Sequence, residues 1–259
     1  MSDRALDDAA ALIVGGASGM GAASARRLAA KLGAAVTVAD IDAERGAAVA
    51  AETGGTFALC DVRREGDVES AVDTAARSAG RGLRVAICCA GAGYRAKTAS
   101  ASRGPHPLPE FQRIVDLNLI GTFNVLRLAA FGMLANEPDD DGERGVIITT
   151  ASVAAFEGQM GQLAYSATKA GIVGMTLTAA RDMADRGVRV MTIAPGLFDT
   201  PLLAGVPEAS REALAAATPF PKRLGDPDEF ARLAAAIVET PMLNGTTIRI
   251  DGAIRMAPR

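Results

Sequence analysis

The chain has 259 residues, of which 49% are hydrophobic and 22% charged, with a formal net charge of -3. That is enough apolar material for one sizeable core, and the length does not demand a second domain. The slightly negative charge and the scattered Lys and Arg residues give no basic track for a phosphate backbone, so no nucleic-acid partner is expected.

ALIV, at Ala11–Val14, reads as a buried strand, and AASARRLAAKLG reads as a helix after the intervening VGGASGMG. A second strand, AVTVA, leads into the helix DIDAERGAAVAAE. A third strand at Thr56–Leu59 is followed by the helix EGDVESAVDTAARSAG and a fourth strand at Leu83–Cys88. PEFQRIVDLNLIGTFNVLRLAAFGML reads as one long helix, GVIITT as a fifth strand and QLAYSATKAGIVGMTLTAARDMA as a second long helix. VRVMTIA is a sixth strand, DEFARLAAAIVE a last helix and TTIRI a final strand. With no internal repeat or linker, this alternation predicts a single α/β domain over 1–259, a doubly wound and mostly parallel sheet.

Three segments interrupt the rhythm. Residues 93–107 and 196–226 follow the carboxyl ends of strands, where open α/β sheets bind ligands, and are expected to form the substrate loops. NEPDDDGERG precedes the fifth strand at the opposite end and reads as a solvated turn. The three cysteines, Cys60, Cys88 and Cys89, have neither metal nor disulfide spacing and read as reduced thiols. The amino terminus lacks the basic region of a signal peptide, and no apolar run reads as long enough to span a bilayer. A cytoplasmic protein without a metal or membrane partner is expected.

Gly15, Gly19 and Gly21 stand between the first strand and first helix, where glycines permit a tight turn and the helix amino terminus attracts a pyrophosphate. Asp40 ends the second strand about twenty residues on, the place for an acid that accepts from ribose hydroxyls. A carboxylate there repels a 2′-phosphate, which favours NAD over NADP. Asp61, after the third strand, has two readings that both stand, an adenine contact or a turn cap.

Tyr165 and Lys169 are four apart on the second long helix and share a face. An ammonium beside a phenol stabilises the phenolate, the tuning that general acid–base work requires. Ser152 follows the fifth strand, at the same carboxyl edge, where its hydroxyl can hold a substrate oxygen.

Together GGASGMG, AGAG, DLNL, Ser152, YSATK and PG resemble the short-chain dehydrogenase/reductase family across essentially the whole chain. The resemblance implies a Rossmann-type fold and hydride transfer to or from a nicotinamide cofactor, with Tyr165 as acid–base and Lys169 on the nicotinamide ribose. Asn118 of DLNL matches the helix asparagine that positions a water in the family's proton relay. Nucleotide contacts are implied from Ser18 and Met20 in the glycine loop, from Asp61 and Val62, and from Cys89, Ala90 and Gly91 after the fourth strand. Pro195, Phe198 and Thr200 are implied after the sixth, the last two closing over the nicotinamide.

Longer strings, TASVAAFEGQMGQLAYSATKAGIVGMTL, RVMTIAPGLFDTPLL and LNGTTIRIDGAIRM, are similar to the type-2 group of 3-hydroxyacyl-CoA dehydrogenases. They imply NAD-linked interconversion of (S)-3-hydroxyacyl-CoA and 3-oxoacyl-CoA, activity on steroid alcohols in some members, and a homotetramer. Gln162 resembles a substrate-contacting glutamine of that group, and reads equally as a helix amino-terminal residue. Leu202, Leu203, Val206 and Leu214 read as an acyl pocket or as core. Arg95, Lys97, Arg103, Lys222 and Arg223 are cations near the pocket loops, and His106 reads as a surface residue. Two positions depart from the family pattern: Cys88 stands where an asparagine is usual and Val14 where threonine is common, each removing a hydrogen-bonding group from the sheet.

Overall fold

The computed structural model describes residues 6–203 and 207–258, except for the side chain of Leu202. Val206 and the Leu202 side chain, both expected near the acyl group, lie outside the described residues.

Seven parallel strands form one sheet: β1 (Ala10–Val14), β2 (Ala35–Asp40), β3 (Thr56–Leu59), β4 (Leu83–Cys88), β5 (Gly145–Thr150), β6 (Val188–Pro195) and β7 (Thr247–Ile250). Their order across the sheet is 3-2-1-4-5-6-7, so the winding direction reverses between β1 and β4. Val14 pairs with Ala39 on one side and Cys88 on the other, which aligns the carboxyl ends of the central strands. Strands β1, β4, β5 and β6 are buried at every position, the consequence of helices covering both faces.

The helices are α1 (Gly19–Leu32), α2 (Ala43–Thr53), α3 (Glu65–Arg77), α4 (Leu108–Met133), α5 (Leu163–Asp182), α6 (Glu208–Ala216) and α7 (Pro227–Glu239). Because strand side chains alternate, Ile13 and Ile148 face one core with Leu28 of α1 and Phe230 of α7. Their neighbours Leu12 and Ile147 face the other, with Val72 of α3 and Val125 and Met133 of α4. Chain signals set the helix ends. Asp42 caps α2 by accepting from the Arg45 N–H at 3.0 Å, Gly33 ends α1 at φ 73°, and Asp226 with Glu229 forms a capping box at Pro227.

Three features differ from the sequence expectation. Helix α4 is continuous but widens into a π turn over Asp116–Ile120, closed by the Gly121 N–H on the Asp116 carbonyl. Its length of 26 residues and a mean hydropathy of 1.4 over an 18-residue window suit a membrane span, contrary to the expectation that no apolar run is long enough. Half of that window is buried inside the protein, however, against α3, β4 and β5, so the apolar residues serve the core. The substrate-loop segments carry their own structure, a small hairpin pairing Ala99–Ser100 with Gly104–Pro105 and the helix α6.

The acidic segment before β5 is a turn, exposed at Glu137, Pro138, Asp140, Asp141 and Gly142 as expected, and it is also tied into the fold at both ends. Arg84 donates to the carbonyls of Glu137 (2.6 Å) and Glu143 (3.1 Å), and Asn136 donates to those of Leu83 (2.6 Å) and Arg144 (2.8 Å). Arg189 forks onto the Glu143 carboxylate at 2.8 and 3.3 Å and donates to the carbonyls of Ile237, Val238 and Leu243. A cleft of about 530 Å³ between this turn and Arg81 opens at the amino-terminal edge of the sheet, away from the residues expected to react.

The Arg189–Glu143 pair is only 7% and 12% exposed. Removing the cation strands a carboxylate in a poorly solvated place, which costs about 3–5 kcal/mol for buried pairs. Arg189→Met is therefore expected to lower the urea midpoint strongly, whereas Arg45→Ala, in an exposed pair, should leave it nearly unchanged.

Candidate active site

The site lies where β1 and β4 diverge, the topological switch point of the sheet. Gly15 leaves β1 at φ 77°, and a Cβ there would stand 2.5 Å from the Ala90 N atom. A Cβ on Gly21 would collide with the Gly15 carbonyl oxygen. The first turn of α1 is thus folded back onto the strand end, at a helix amino terminus, where backbone N–H groups attract an anion. Ser18 caps α1 in extended conformation without using its hydroxyl for the cap, and Met20 packs against the core beneath. Thr200 closes this loop from above: its Cγ2 would lie 3.2 Å from a Cβ on Gly19.

Asp40 ties the loop to β2. Its two carboxylate oxygens accept from the Ala17 and Asp42 N–H groups, each at 3.0 Å, and retain lone pairs for further donors. Asp61 is taken up by Arg63, whose guanidinium donates at 2.6 and 2.9 Å and holds the carboxyl below the usual range. The Val62 side chain is buried against Gly121 of α4, while its carbonyl accepts from Asn124. The turn role of Asp61 is thus visible in the structure.

After β4, the Cys89 N–H continues the ladder to the Val14 carbonyl at 2.7 Å. Gly91 then passes close to two groups at once: a Cβ there would be 3.1 Å from Asn118 Oδ1 and 3.6 Å from Lys169 Nζ. Asn118 is fully buried in the π turn. Its amide accepts from the Ala92 N–H (2.9 Å) and donates to the Ala92 carbonyl (2.9 Å) and Thr168 Oγ1 (3.2 Å). The chain at Cys88, where the family pattern has asparagine, keeps a weak contact instead, Cys88 Sγ to Thr122 Oγ1 at 3.9 Å. Val14, the other departure, is buried in the core. Burial pushes the Cys88 thiol up and the Cys89 thiol up to about 12, so both stay neutral.

Tyr165 and Lys169 share one face of α5. Lys169 is 4% exposed; its ammonium donates to the Thr150 carbonyl at 2.7 Å and stands 5.7 Å from the ring centroid of the half-buried Tyr165. Ser152 lies two residues past β5; its Oγ accepts from the Ala154 N–H at 3.1 Å and so keeps its own hydrogen free to donate. A chain of hydroxyls fixes α5 on the sheet: Thr149 to Thr192 at 2.7 Å, Thr192 to Thr176 at 2.6 Å. Gln162 sits at the amino terminus of α5, bonded to Gln159 at 3.2 Å and bridged to Ala96 of the first substrate loop.

Other expectations fare differently. The Phe198 ring is 6% exposed and stacks on Gly225 in the core, so it does not lie open over a nicotinamide. Pro195 is the last residue of β6, and the Gly196 N–H bonds the Ile250 carbonyl. Leu203 and Leu214 are half-buried. His106 is not a plain surface residue; its ring stands edge-on between Tyr94 and Phe111. Arg223 is forked onto Glu229, whereas Arg95, Lys97, Arg103 and Lys222 are exposed. The ion-pair cluster of Glu157, Arg249 and Asp251 leaves no signal in the sequence, because it joins segments too far apart in the chain for spacing to reveal.

Residues 9–211 match the short chain dehydrogenase family. The chain is 54% identical over 258 residues to the 3-hydroxyacyl-CoA dehydrogenase type-2 of Homo sapiens, covering 98% of each. A crystal structure of 3-hydroxyacyl-CoA dehydrogenase type-2 from Mycobacterium avium superposes with a TM-score of 0.93 at 44% identity, covering 97% of this chain and 98% of that one. A 7α-hydroxysteroid dehydrogenase complexed with NADH and a 7-oxo bile acid gives 0.86 at 26% identity, covering 98% and 97%. The chain belongs to the short-chain dehydrogenase family. The bare glycine turn, the carboxylate ending β2 and the Lys169 ammonium beside Gly91 suit the pyrophosphate and riboses of a nicotinamide dinucleotide.

Gly21→Ala tests the loop directly. The forced displacement of Gly15 is worth about 1–3 kcal/mol of strain, and NADH affinity measured by fluorescence titration should fall at least tenfold.

Proposed function

We propose that the chain interconverts (S)-3-hydroxyacyl-CoA and 3-oxoacyl-CoA with NAD as cofactor. The observation that carries the chemistry is Tyr165 at the carboxyl edge of the sheet with the buried Lys169 ammonium beside its ring. Bound there, the nicotinamide dinucleotide supplies or accepts the hydride. The Tyr165 hydroxyl gives its proton to the substrate oxygen in reduction and takes it back in oxidation. Lys169 has one N–H on Thr150 and two left, for a ribose hydroxyl and for stabilising the phenolate of Tyr165. Ser152 donates its free hydroxyl hydrogen to the same substrate oxygen, and buried Asn118 holds Ala92 and Thr168 around the proton path.

Support for the acyl-CoA substrate comes from the likeness to the type-2 enzymes over nearly the entire chain. Oxidation of a steroid or other secondary alcohol uses the same residues and is supported by the more distant bile-acid enzyme. Preference for NAD rests on Asp40, with the apolar Ile41 rather than a cation following it. We also read the protein as a cytoplasmic homotetramer. Ile120, Phe123 and Phe131 on α4 and Leu163 and Leu177 on α5 are exposed apolar side chains that subunit contacts would cover.

Turnover of acetoacetyl-CoA with NADH is the test of substrate, and inactivity on every acyl-CoA would overturn it. Tyr165→Phe should lower kcat by roughly 10²–10⁴-fold while NADH still binds; retained turnover would refute the assigned role. Asp40→Ala should raise the NADP/NAD preference ratio, and an unchanged ratio would count against ribose recognition. Sedimentation is expected to give the mass of four chains, and a monomer would refute the assembly.

A further inference from the structure

Between Ser152 and α5 the chain makes two short turns, one at Val153–Ala155 and one closed by the Gln162 N–H on the Gln159 carbonyl at 3.1 Å, with no regular structure between them. Two isolated turns joined by an irregular stretch do not by themselves fix the spacing of the Ser152 and Tyr165 side chains, and outside ties complete it. Those ties come from the last part of the chain. Arg249 of β7 forks onto Glu157 at 2.7 and 3.1 Å, and onto Asp251 at 2.7 and 2.8 Å, with its guanidinium 5.3 Å over the Phe156 ring. Arg255 adds contacts of 3.4 Å to Glu157 and 3.2 Å to Asp251. The Met160 N–H donates to the Pro258 carbonyl at 3.0 Å, and Gln159 to that of Ala257 at 3.1 Å. From the other side, the Ala96 N–H of the substrate loop donates to the Gly161 carbonyl at 2.9 Å. Asp251 also touches the loop after β6: a Cβ on Gly196 would stand 2.9 Å from its Cα.

We propose that Arg249 and Glu157 are positioning residues of the reaction, fixing the segment 156–162 so that Ser152 and Tyr165 meet one substrate oxygen. The inference rests on the roles proposed above for those two residues. A partly exposed ion pair contributes little to stability, but a bidentate fork fixes both the distance and the plane of its partner. Arg249 holds the Glu157 carboxyl below its usual range, so the fork persists throughout the neutral pH range. The cluster stands at the junction of three segments that shape the site, the Ser152–Tyr165 loop, the turn after β6 and the carboxyl-terminal strand. None of the residues in it reaches the glycine loop in any contact described, so nucleotide binding should be insensitive to it.

The test compares Glu157→Gln, Arg249→Gln and the double variant with Arg27→Gln, which removes an equally bidentate pair with Asp228 between α1 and α7. Each single variant at the cluster should lower kcat on acetoacetyl-CoA about tenfold, the scale of a small misplacement. The double should be no worse than either single, and NADH affinity should be unchanged. Arg27→Gln should leave kcat as it is. Amide hydrogen exchange should quicken over residues 157–162 in Arg249→Gln and stay unchanged over 15–21. Unchanged kcat and exchange in the cluster variants, or an equal kcat loss in Arg27→Gln, would overturn the inference. If the unaltered protein turns over no acyl-CoA, the substrate reading fails, and the exchange measurement alone decides the positioning role. Should Arg249→Gln not fold, Arg249→Lys keeps the charge, loses the fork and undergoes the same measurements.

Discussion

A buried ammonium must find acceptors, and in this chain the need of Lys169 organises the site. Its bond to the Thr150 carbonyl joins the second turn of α5 to the last residue of β5. That single tie places Tyr165, one turn earlier on the helix, beside the strand end from which Ser152 departs. It also brings the ammonium within reach of Gly91, where the chain leaving β4 has no side chain to intervene. Nucleotide-binding edge and reacting edge are thereby held around one cation. The hydroxyl chain through Thr149, Thr192 and Thr176 repeats the attachment one layer deeper.

Asn118 plays the corresponding part on the other side. A regular α-helix would point that residue elsewhere in its turn; the π widening at Asp116–Ile120 inserts it between the Ala92 backbone and Thr168. Irregular helix turns of this kind occur often at functional sites because they re-aim one side chain without ending the helix. The turn costs α4 some regularity and links three elements through a single amide.

Most of the sheet was legible because its central strands are short apolar runs between helices with clear periodicity, and Thr56–Leu59 and Leu83–Cys88 coincide with β3 and β4. Tyr165, Lys169, Asp40 and the glycines were legible because their chemistry depends on spacing within one element or one turn. The π turn was not, since DLNLI has the composition of an ordinary helix. Nor was the tertiary use of the acidic segment, because Arg84 and Arg189 reach it from strands far away in the chain. Phe198 shows the same limit: its place after β6 suggested a ring closing over the nicotinamide, but the ring packs onto Gly225. Long-range complementarity leaves no periodic trace in a sequence.

The pairing of α1 with α7 has a consequence for how the protein is made. The core beneath α1 contains Phe230, Ile237 and Val238 alongside Ala22 and Leu28, and Arg27 meets Asp228 some two hundred residues later. A ribosome delivers the first of these groups long before the last. Until α7 emerges, the face of the sheet beneath α1 is incompletely covered, and such non-local closure is slow. The helix that carries the nucleotide loop therefore gains its full packing only after α7 has been made, some 201 residues later.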